Sequence, residues 1–332
     1  MNTLQNPKTR NGNHGLSNSR KIFANIALFA LLFGSCVTDD GNLPPTHPSD
    51  DQELVTDLAL PDLKINRIEH DGNWIYFIAT DALYRLDISQ DGRIPEFILE
   101  DGDGPMDLAV IDGMLYYTPF WVMTELRAID LETKKIVPSG IDLPFYKAAL
   151  AKDGDRLIYL ETESSFGFET TVHARDMVTG APDTLLAELP FEELEHMIYF
   201  QENLYFFRTY YTGKDKGSWL MRYDLMNGQA TPEMLVGLSD AEDVVSPGTG
   251  LAVDASGIYF THLLGDGLYR IDHGSPAGLP EPILYTEDIS SGGTDLIGPL
   301  LIMGNHLYIG SNGHLFTVDL ERMPVTSQEI NR

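Results

Sequence analysis

Asp107-Leu108-Ala109-Val110-Ile111-Asp112-Gly113-Met114-Leu115-Tyr116-Tyr117-Thr118 decides the architecture. An apolar strand runs into Asp-Gly, the pair that takes up the positive φ angles of a two-residue hairpin, and a second strand rich in aromatic residues leaves it. Leu126-Arg127-Ala128-Ile129-Asp130 reads as a third strand, and Lys135-Ile136-Val137 as a fourth. Two marks of this unit recur along the chain. An apolar residue followed by Tyr appears at Ile75-Tyr76, Leu115-Tyr116, Ile158-Tyr159, Leu204-Tyr205, Ile258-Tyr259 and Leu307-Tyr308. A short strand ending in Asp follows each pair, at Asp87, Asp130, Asp176, Asp224, Asp272 and Asp319. The intervals between these aspartates are 43, 46, 48, 48 and 47 residues.

Such an interval, filled by four short antiparallel strands, is the blade period of a β-propeller. The expected fold is therefore all-β, a six-bladed β-propeller over residues 51–332. Tight turns between first and second strands are expected at Asp71-Gly72, Asp112-Gly113, Asp153-Gly154, Ser256-Gly257 and Gly304-Asn305. Outer strands are expected after prolines, at Pro95–Leu99, Pro182–Leu186, Pro232–Val236 and Pro282–Tyr285. The sixth repeat has little chain left after Asp319. Gln52-Glu53-Leu54-Val55-Thr56 has the matching character, so an N-terminal strand is expected to form the outer strand of the last blade. Ring closure of this kind hides an edge that would otherwise template aggregation.

Gly250-Leu251-Ala252-Val253-Asp254-Ala255-Ser256-Gly257-Ile258-Tyr259-Phe260-Thr261 resembles one NHL-type blade, and Ile75-Tyr76-Phe77 resembles the YWTD type. Both belong to the six-bladed, TolB-like propeller superfamily. The resemblance implies the fold; that fold hosts many functions and implies no single one.

The first 35 residues have a different character. Arg20-Lys21 precedes a 13-residue apolar run, Ile22 to Gly34, too short for a bilayer span of about 20 residues but of the length of a secretory h-region. Gly34-Ser35-Cys36 follows directly and resembles the lipobox of bacterial lipoproteins. Phe33 stands where that family prefers Leu. Cys36 is the only cysteine of the 332 residues, so it has no internal disulfide partner. The resemblance implies a signal peptide over 1–35, lipidation at Cys36 and a membrane anchor. Val37, rather than Asp, after the cysteine points to the outer membrane in a Gram-negative source. Residues 36–50, polar with Pro44, Pro45 and Pro48, read as a flexible tether.

Charge narrows the partners. The net charge is −28, and residues 1–35 contain Lys8, Arg10, Arg20 and Lys21 but none of the 50 acidic side chains. A body that acidic repels phosphate backbones, so no nucleic-acid partner is expected. Self-repulsion also favours a soluble monomer. Apolar content of 43% excludes disorder throughout.

The recurring third-strand Asp reads as a turn cap, because six equivalent copies around a ring do not converge on one site. Binding is expected on the rim formed by the longer connections. Phe120, Trp121, Phe166, Phe168, Tyr210, Tyr211 and Trp219 lie there and suit a protein, peptide or glycan ligand; the alternative is that several pack their own loops. Asp101, Asp103 and Asp107 form a fragment of a calcium loop that lacks its bidentate Glu, making Ca2+ the one candidate cofactor. No GxSxG, Walker loop or HExxH occurs. The preferred reading is a non-enzymatic binding protein. The alternative rests on resemblance to lactonase-like propellers, which hold a channel calcium with Glu, Asn and Asp; Asn66, Asp107 and Asp254 are the residues this chain offers.

Overall fold

A computed structural model describes residues 55–90, 93–119, 125–142, 149–162, 170–189, 194–210, 216–227, 231–238, 247–263, 267–273, 280–285 and 298–322. The first strands are β1 (Val55–Asp71), β2 (Trp74–Ala79), β3 (Ala82–Asp87) and β4 (Glu96–Glu100). Then come β5 (Pro105–Ile111), β6 (Met114–Pro119), β7 (Glu125–Asp130) and β8 (Lys135–Asp142). The third set is β9 (Leu150–Asp153), β10 (Arg156–Thr162), β11 (Thr170–Asp176) and β12 (Thr184–Leu189). The fourth is β13 (Leu194–Phe200), β14 (Asn203–Tyr210), β15 (Gly217–Asp224) and β16 (Glu233–Gly237). The fifth is β17 (Gly248–Val253), β18 (Ile258–His262), β19 (Gly267–Ile271) and β20 (Glu281–Tyr285). The last strands are β21 (Leu300–Met303), β22 (His306–Gly310) and β23 (Asn312–Asp319).

Strands β5–β8, β9–β12, β13–β16 and β17–β20 form four antiparallel four-stranded sheets. A fifth sheet has seven strands in the order β21-β22-β23-β1-β2-β3-β4. Its central strand, β1, is shared between two units. Val55 to Ala59 pair with Val318 to His314 of β23, and Ile65 to Asp71 pair with β2. The segment expected to close the ring thus pairs through Val55–Ala59, and Gln52 to Leu54 lie outside the described residues.

The core lies between sheets rather than within one. Leu108, Val110 and Tyr117 pack on Tyr76 and Leu83, and Ala252, Tyr259 and Leu268 pack on Leu307 and Phe316. Equivalent clusters join the other neighbouring sheets, and the last packs Leu301, Tyr308 and Leu315 on Ile75 and Phe77, between the two units that share β1 in the seven-stranded sheet. The recurrent Tyr of the second strand is buried in all six copies. Burial of both faces explains why the second strands read as continuous apolar runs. First strands β1, β5, β9, β13, β17 and β21 touch in that cyclic order, and β21 returns to β1. Residues 52–332 form one compact unit.

Turn chemistry corrects several details. Asp112 (φ +47°) and Gly113 (φ +74°) make the expected hairpin, and so do Gly304 and Asn305. In two other hairpins the turn sits one residue later, at Gly72-Asn73 and Gly154-Asp155, because Asp71 and Asp153 are still paired. Ser256-Gly257 is the second half of a four-residue turn from Asp254, whose carboxylate accepts the amides of Ser256 (2.8 Å) and Gly257 (3.1 Å). Gln201-Glu202 is a further two-residue turn with φ of +48° and +58°, and no glycine announces it.

The third-strand aspartates cap turns. Asp130 accepts the amides of Glu132 (3.0 Å) and Thr133 (2.9 Å), Asp176 those of Val178 and Thr179, and Asp224 those of Met226 and Asn227. These bonds, joined at Asp224 by the side-chain amide of Asn227 as the largest cause, hold the three carboxyls below their ordinary value. Asp272 pairs with Arg270 at 3.0 Å, and the turn that follows it lies outside the described residues.

Candidate functional site

Four first strands, β1, β5, β13 and β17, carry a register shift, and in three of them the shift lies beside a polar side chain of one central cluster. Register shifts occur between Ile65 and Arg67 in β1, between Pro105 and Asp107 in β5, and between Glu195 and Ile198 in β13. A bulge re-aims the side chains around it. Arg67, Asp107 and His196 meet there. Arg67 Nε contacts Asp107 Oδ1 at 3.1 Å, and its Nη2 donates to Oδ2 at 3.2 Å, the forked geometry that arginine makes with a carboxylate. Arg67 Nη1 also bonds His196 Nδ1. Asp107 accepts the amides of Leu108 (2.9 Å) and Leu150 (3.0 Å), the second from β9. One buried cluster therefore ties β1, β5, β9 and β13.

Its electrostatics follow from burial. Desolvation pushes the Asp107 carboxyl up, against the pull of Arg67 and the two amides. Burial, helped by the Arg67 charge, drives the His196 imidazole well below its ordinary value, so it is neutral and accepts at Nδ1. His196 also has φ +54°, an uncommon angle for a residue other than glycine, held by the bulge.

The cluster divides two cavities. One, of about 190 Å³, lies at the start of the first strands and is lined by Asn66, Met106, Ala149, Leu194 and Glu195. The other, of about 180 Å³, lies toward their ends, on the side of the tight hairpins. Glu69, His70, Lys152 and Tyr199 line one of its walls, and Leu251, Val253, Leu300 and Ile302 another. Lys152 Nζ lies 3.0 Å from Glu69 Oε1 and donates to the His70 carbonyl at 2.6 Å. Burial and the Lys152 charge lower the His70 imidazole.

Asp101, Asp103 and Asp107 do not meet around one point. Arg127 Nη1 donates to Asp101 Oδ2 (2.6 Å), Nη2 to Asp103 Oδ2 (2.7 Å) and Nε to Glu125 Oε1 (2.6 Å). Tyr117 adds a hydroxyl to Asp101 at 2.7 Å. Burial raises the Asp101 carboxyl, yet the bonds from Arg127 and Tyr117 outweigh it and leave the carboxyl below its ordinary value. A guanidinium thus occupies the place a cation would take between Asp101 and Asp103, and Asp107 belongs to Arg67. Among the described residues, no group of three or more His, Cys, Asp or Glu is arranged to hold a metal. Of the other residues weighed for a channel metal, Asp254 caps its own turn, and Asn66 lines the first cavity alone of its kind.

Of the rim aromatics, Tyr210 and Trp219 are described; Phe120, Trp121, Phe166, Phe168 and Tyr211 lie outside the described residues, as does Cys36. Tyr210 ends β14 at the far side from the hairpins, opposite Gly217. The Arg208 guanidinium carbon lies 4.5 Å from the Tyr210 ring centre and 5.5 Å from that of Trp219, and the two rings are 6.5 Å apart at 64°. The indole lies over Gly217, where an added Cβ would come within 2.6 Å of it. It also packs on the cluster containing Leu204, Phe206 and Leu189. Trp219 therefore stands with one face in the core, and both aromatics are half-buried.

Sequence reasoning missed Arg67, His196, Glu69 and Lys152. The available signal was polar residues on first strands: Lys64-Ile65-Asn66-Arg67-Ile68-Glu69 on β1, Lys152 on β9 and Glu195-His196 on β13, where β17 and β21 carry no charge.

No protein-family model matches the chain, and no curated protein matches it. Solved structures do. A chain of a nidogen/laminin complex superposes with a TM-score of 0.55 at 14% identity, over 75% of this chain and 90% of that one. The extracellular domain of the putative one-component system BT4673 from B. thetaiotaomicron gives 0.52 at 12% identity, over 80% of this chain. A second structure from B. thetaiotaomicron, described as the extracellular domain of the putative hybrid two-component system BT4673, gives 0.51 at 14%. The fold is a β-propeller. This chain spans about two-fifths of the first BT4673 chain, with 39% of it covered, and 34% of the second.

Proposed function

We infer that this protein is an exported, non-catalytic binding propeller, a six-bladed ring closed by its N-terminal strand and tethered to a membrane through a lipid on Cys36. The reading of six blades is supported by the cyclic packing of the first strands and by the sharing of β1 between two units. The lipid anchor is supported by the run from Ile22 to Gly34 and by Gly34-Ser35-Cys36. Binding takes place on the rim of long connections, with a protein, peptide or glycan as ligand. The observation that carries this is the Arg208–Tyr210–Trp219 cluster, a cation over two aromatic rings on the side away from the hairpins. The carboxylates that a calcium-dependent hydrolase would need are already engaged, Asp107 by Arg67 and Asp101 by Arg127.

The test has two arms. Cys36→Ser should move the protein from the membrane to the soluble fraction and abolish labelling by a radioactive fatty acid. Peptide and glycan arrays probed with the full chain should give a signal that Tyr210→Ala removes. Membrane retention of Cys36→Ser would overturn the anchor, and array signals indifferent to Tyr210→Ala would overturn the rim.

A further inference from the structure

The cavity on the hairpin side is built differently from the rim and stands independently of it. Its volume of about 180 Å³ far exceeds the need of one water and falls below that of a drug-sized pocket, so it suits a guest of few heavy atoms. The charges on its wall balance, with Arg67 against Asp107 and Lys152 against Glu69. A guest carrying one net charge gains nothing from such a wall over water, whereas a dipolar guest is matched at both ends.

Glu69 and Lys152 retain the bonding capacity for that match. Glu69 Oε1 accepts from the His70 amide (2.7 Å) and meets Lys152, and Lys152 donates to Glu69 and to the His70 carbonyl. Glu69 Oε2 and the third ammonium proton of Lys152 have no hydrogen-bond partner among the described residues. A carboxylate acceptor and an ammonium donor thus stand side by side at the cavity wall. The facing wall, with Val253 and Ile302 half-buried, offers aliphatic surface and no charge.

We propose that this cavity binds a zwitterionic α-amino acid with an aliphatic side chain. The amino group of the guest donates to Glu69 Oε2, its carboxylate accepts from Lys152, and its side chain lies on Val253 and Ile302. The Arg67–Asp107–His196 cluster forms the floor and keeps the guest from passing through the ring.

Isothermal titration of the full chain with L-leucine, isovalerate and isoamylamine tests this directly. Leucine should bind, and the two one-ended analogues should bind roughly ten- to hundredfold more weakly, the worth of one charge-assisted hydrogen bond. Glu69→Gln and Lys152→Met, checked for unchanged thermal melts, should each weaken leucine by a similar factor. No heat with leucine at millimolar concentration, or equal affinity for all three compounds, would overturn the proposal even if the variants failed to fold. Leucine binding that both folded variants leave unchanged would overturn it as well.

Discussion

Asp107 and Arg67 face each other across two blades with both carboxylate oxygens engaged, at 3.1 and 3.2 Å, in the interior of the ring. Removing one partner of such a buried pair leaves the other charge uncompensated and costs about 3–5 kcal/mol. Asp107→Asn and Arg67→Met should each lower the unfolding free energy measured in urea by that amount. Combining Asp107→Leu with Arg67→Met should recover much of the loss, because two apolar groups leave no stranded charge. A double variant as unstable as the sum of the singles would show that the cluster acts through the Leu150 and His196 bonds instead.

His196 predicts a pH dependence. Its imidazole is held well below the ordinary 6.5 of histidine by burial and by Arg67. The unfolded chain therefore takes up a proton below about pH 6.5 that the folded chain refuses, and stability present above that value is lost as pH falls. The slope is about 1.4 kcal/mol per pH unit for one such proton. Asn tolerates positive φ and keeps an acceptor for Arg67, so His196→Asn should fold and should flatten the curve between pH 6.5 and 5. Parallel curves for the two proteins would place the pH response elsewhere.

Arg127 sits where a calcium loop would hold its ion. Arg127→Met frees the carboxylates of Asp101, Asp103 and Glu125 together, and the variant should melt below the parent in EDTA. Calcium at 100 times its dissociation constant should restore about 2.7 kcal/mol to the variant. The parent melt should not respond through this site. A calcium shift of equal size in both proteins would assign the ion to another place.

Tyr210 and Trp219 separate binding from packing. Trp219 has one face in the core, so Trp219→Ala should destabilise by about 2–3 kcal/mol and confuse any binding assay. Tyr210 contributes mainly its stacking with Arg208, about 0.5–1 kcal/mol. Thermal melts should therefore rank Trp219→Ala well below Tyr210→Ala, which is the cleaner probe of the rim.

The repeat was legible because one pattern is written six times, and chance does not space Asp87, Asp130, Asp176, Asp224, Asp272 and Asp319 so evenly. The caps were legible for the same reason. The channel cluster was not. Arg67, Asp107, Leu150 and His196 are up to 129 residues apart, each occurs once, and the bulges that aim three of them leave no mark in composition. The calcium fragment misled because spacing shows where carboxylates fall along the chain and not which cation sits between them. Arg127, more than twenty residues away, supplies that cation for Asp101 and Asp103.

Gln201 and Glu202 form the turn that its sequence least favours. Both take φ near +50°, the conformation in which Asn-Gly is preferred, because strands β13 and β14 must reverse in two residues. Side chains held there store strain, which Gln201→Asn with Glu202→Gly should release. The expected gain is about 1 kcal/mol, a rise of about 2–4 °C in Tm. Asp112→Asn serves as control, since Asp112-Gly113 already has favourable turn chemistry and should gain little. A loss of stability in the double variant would mean that the Glu202 bond with Tyr199 holds the turn more strongly than its backbone opposes it.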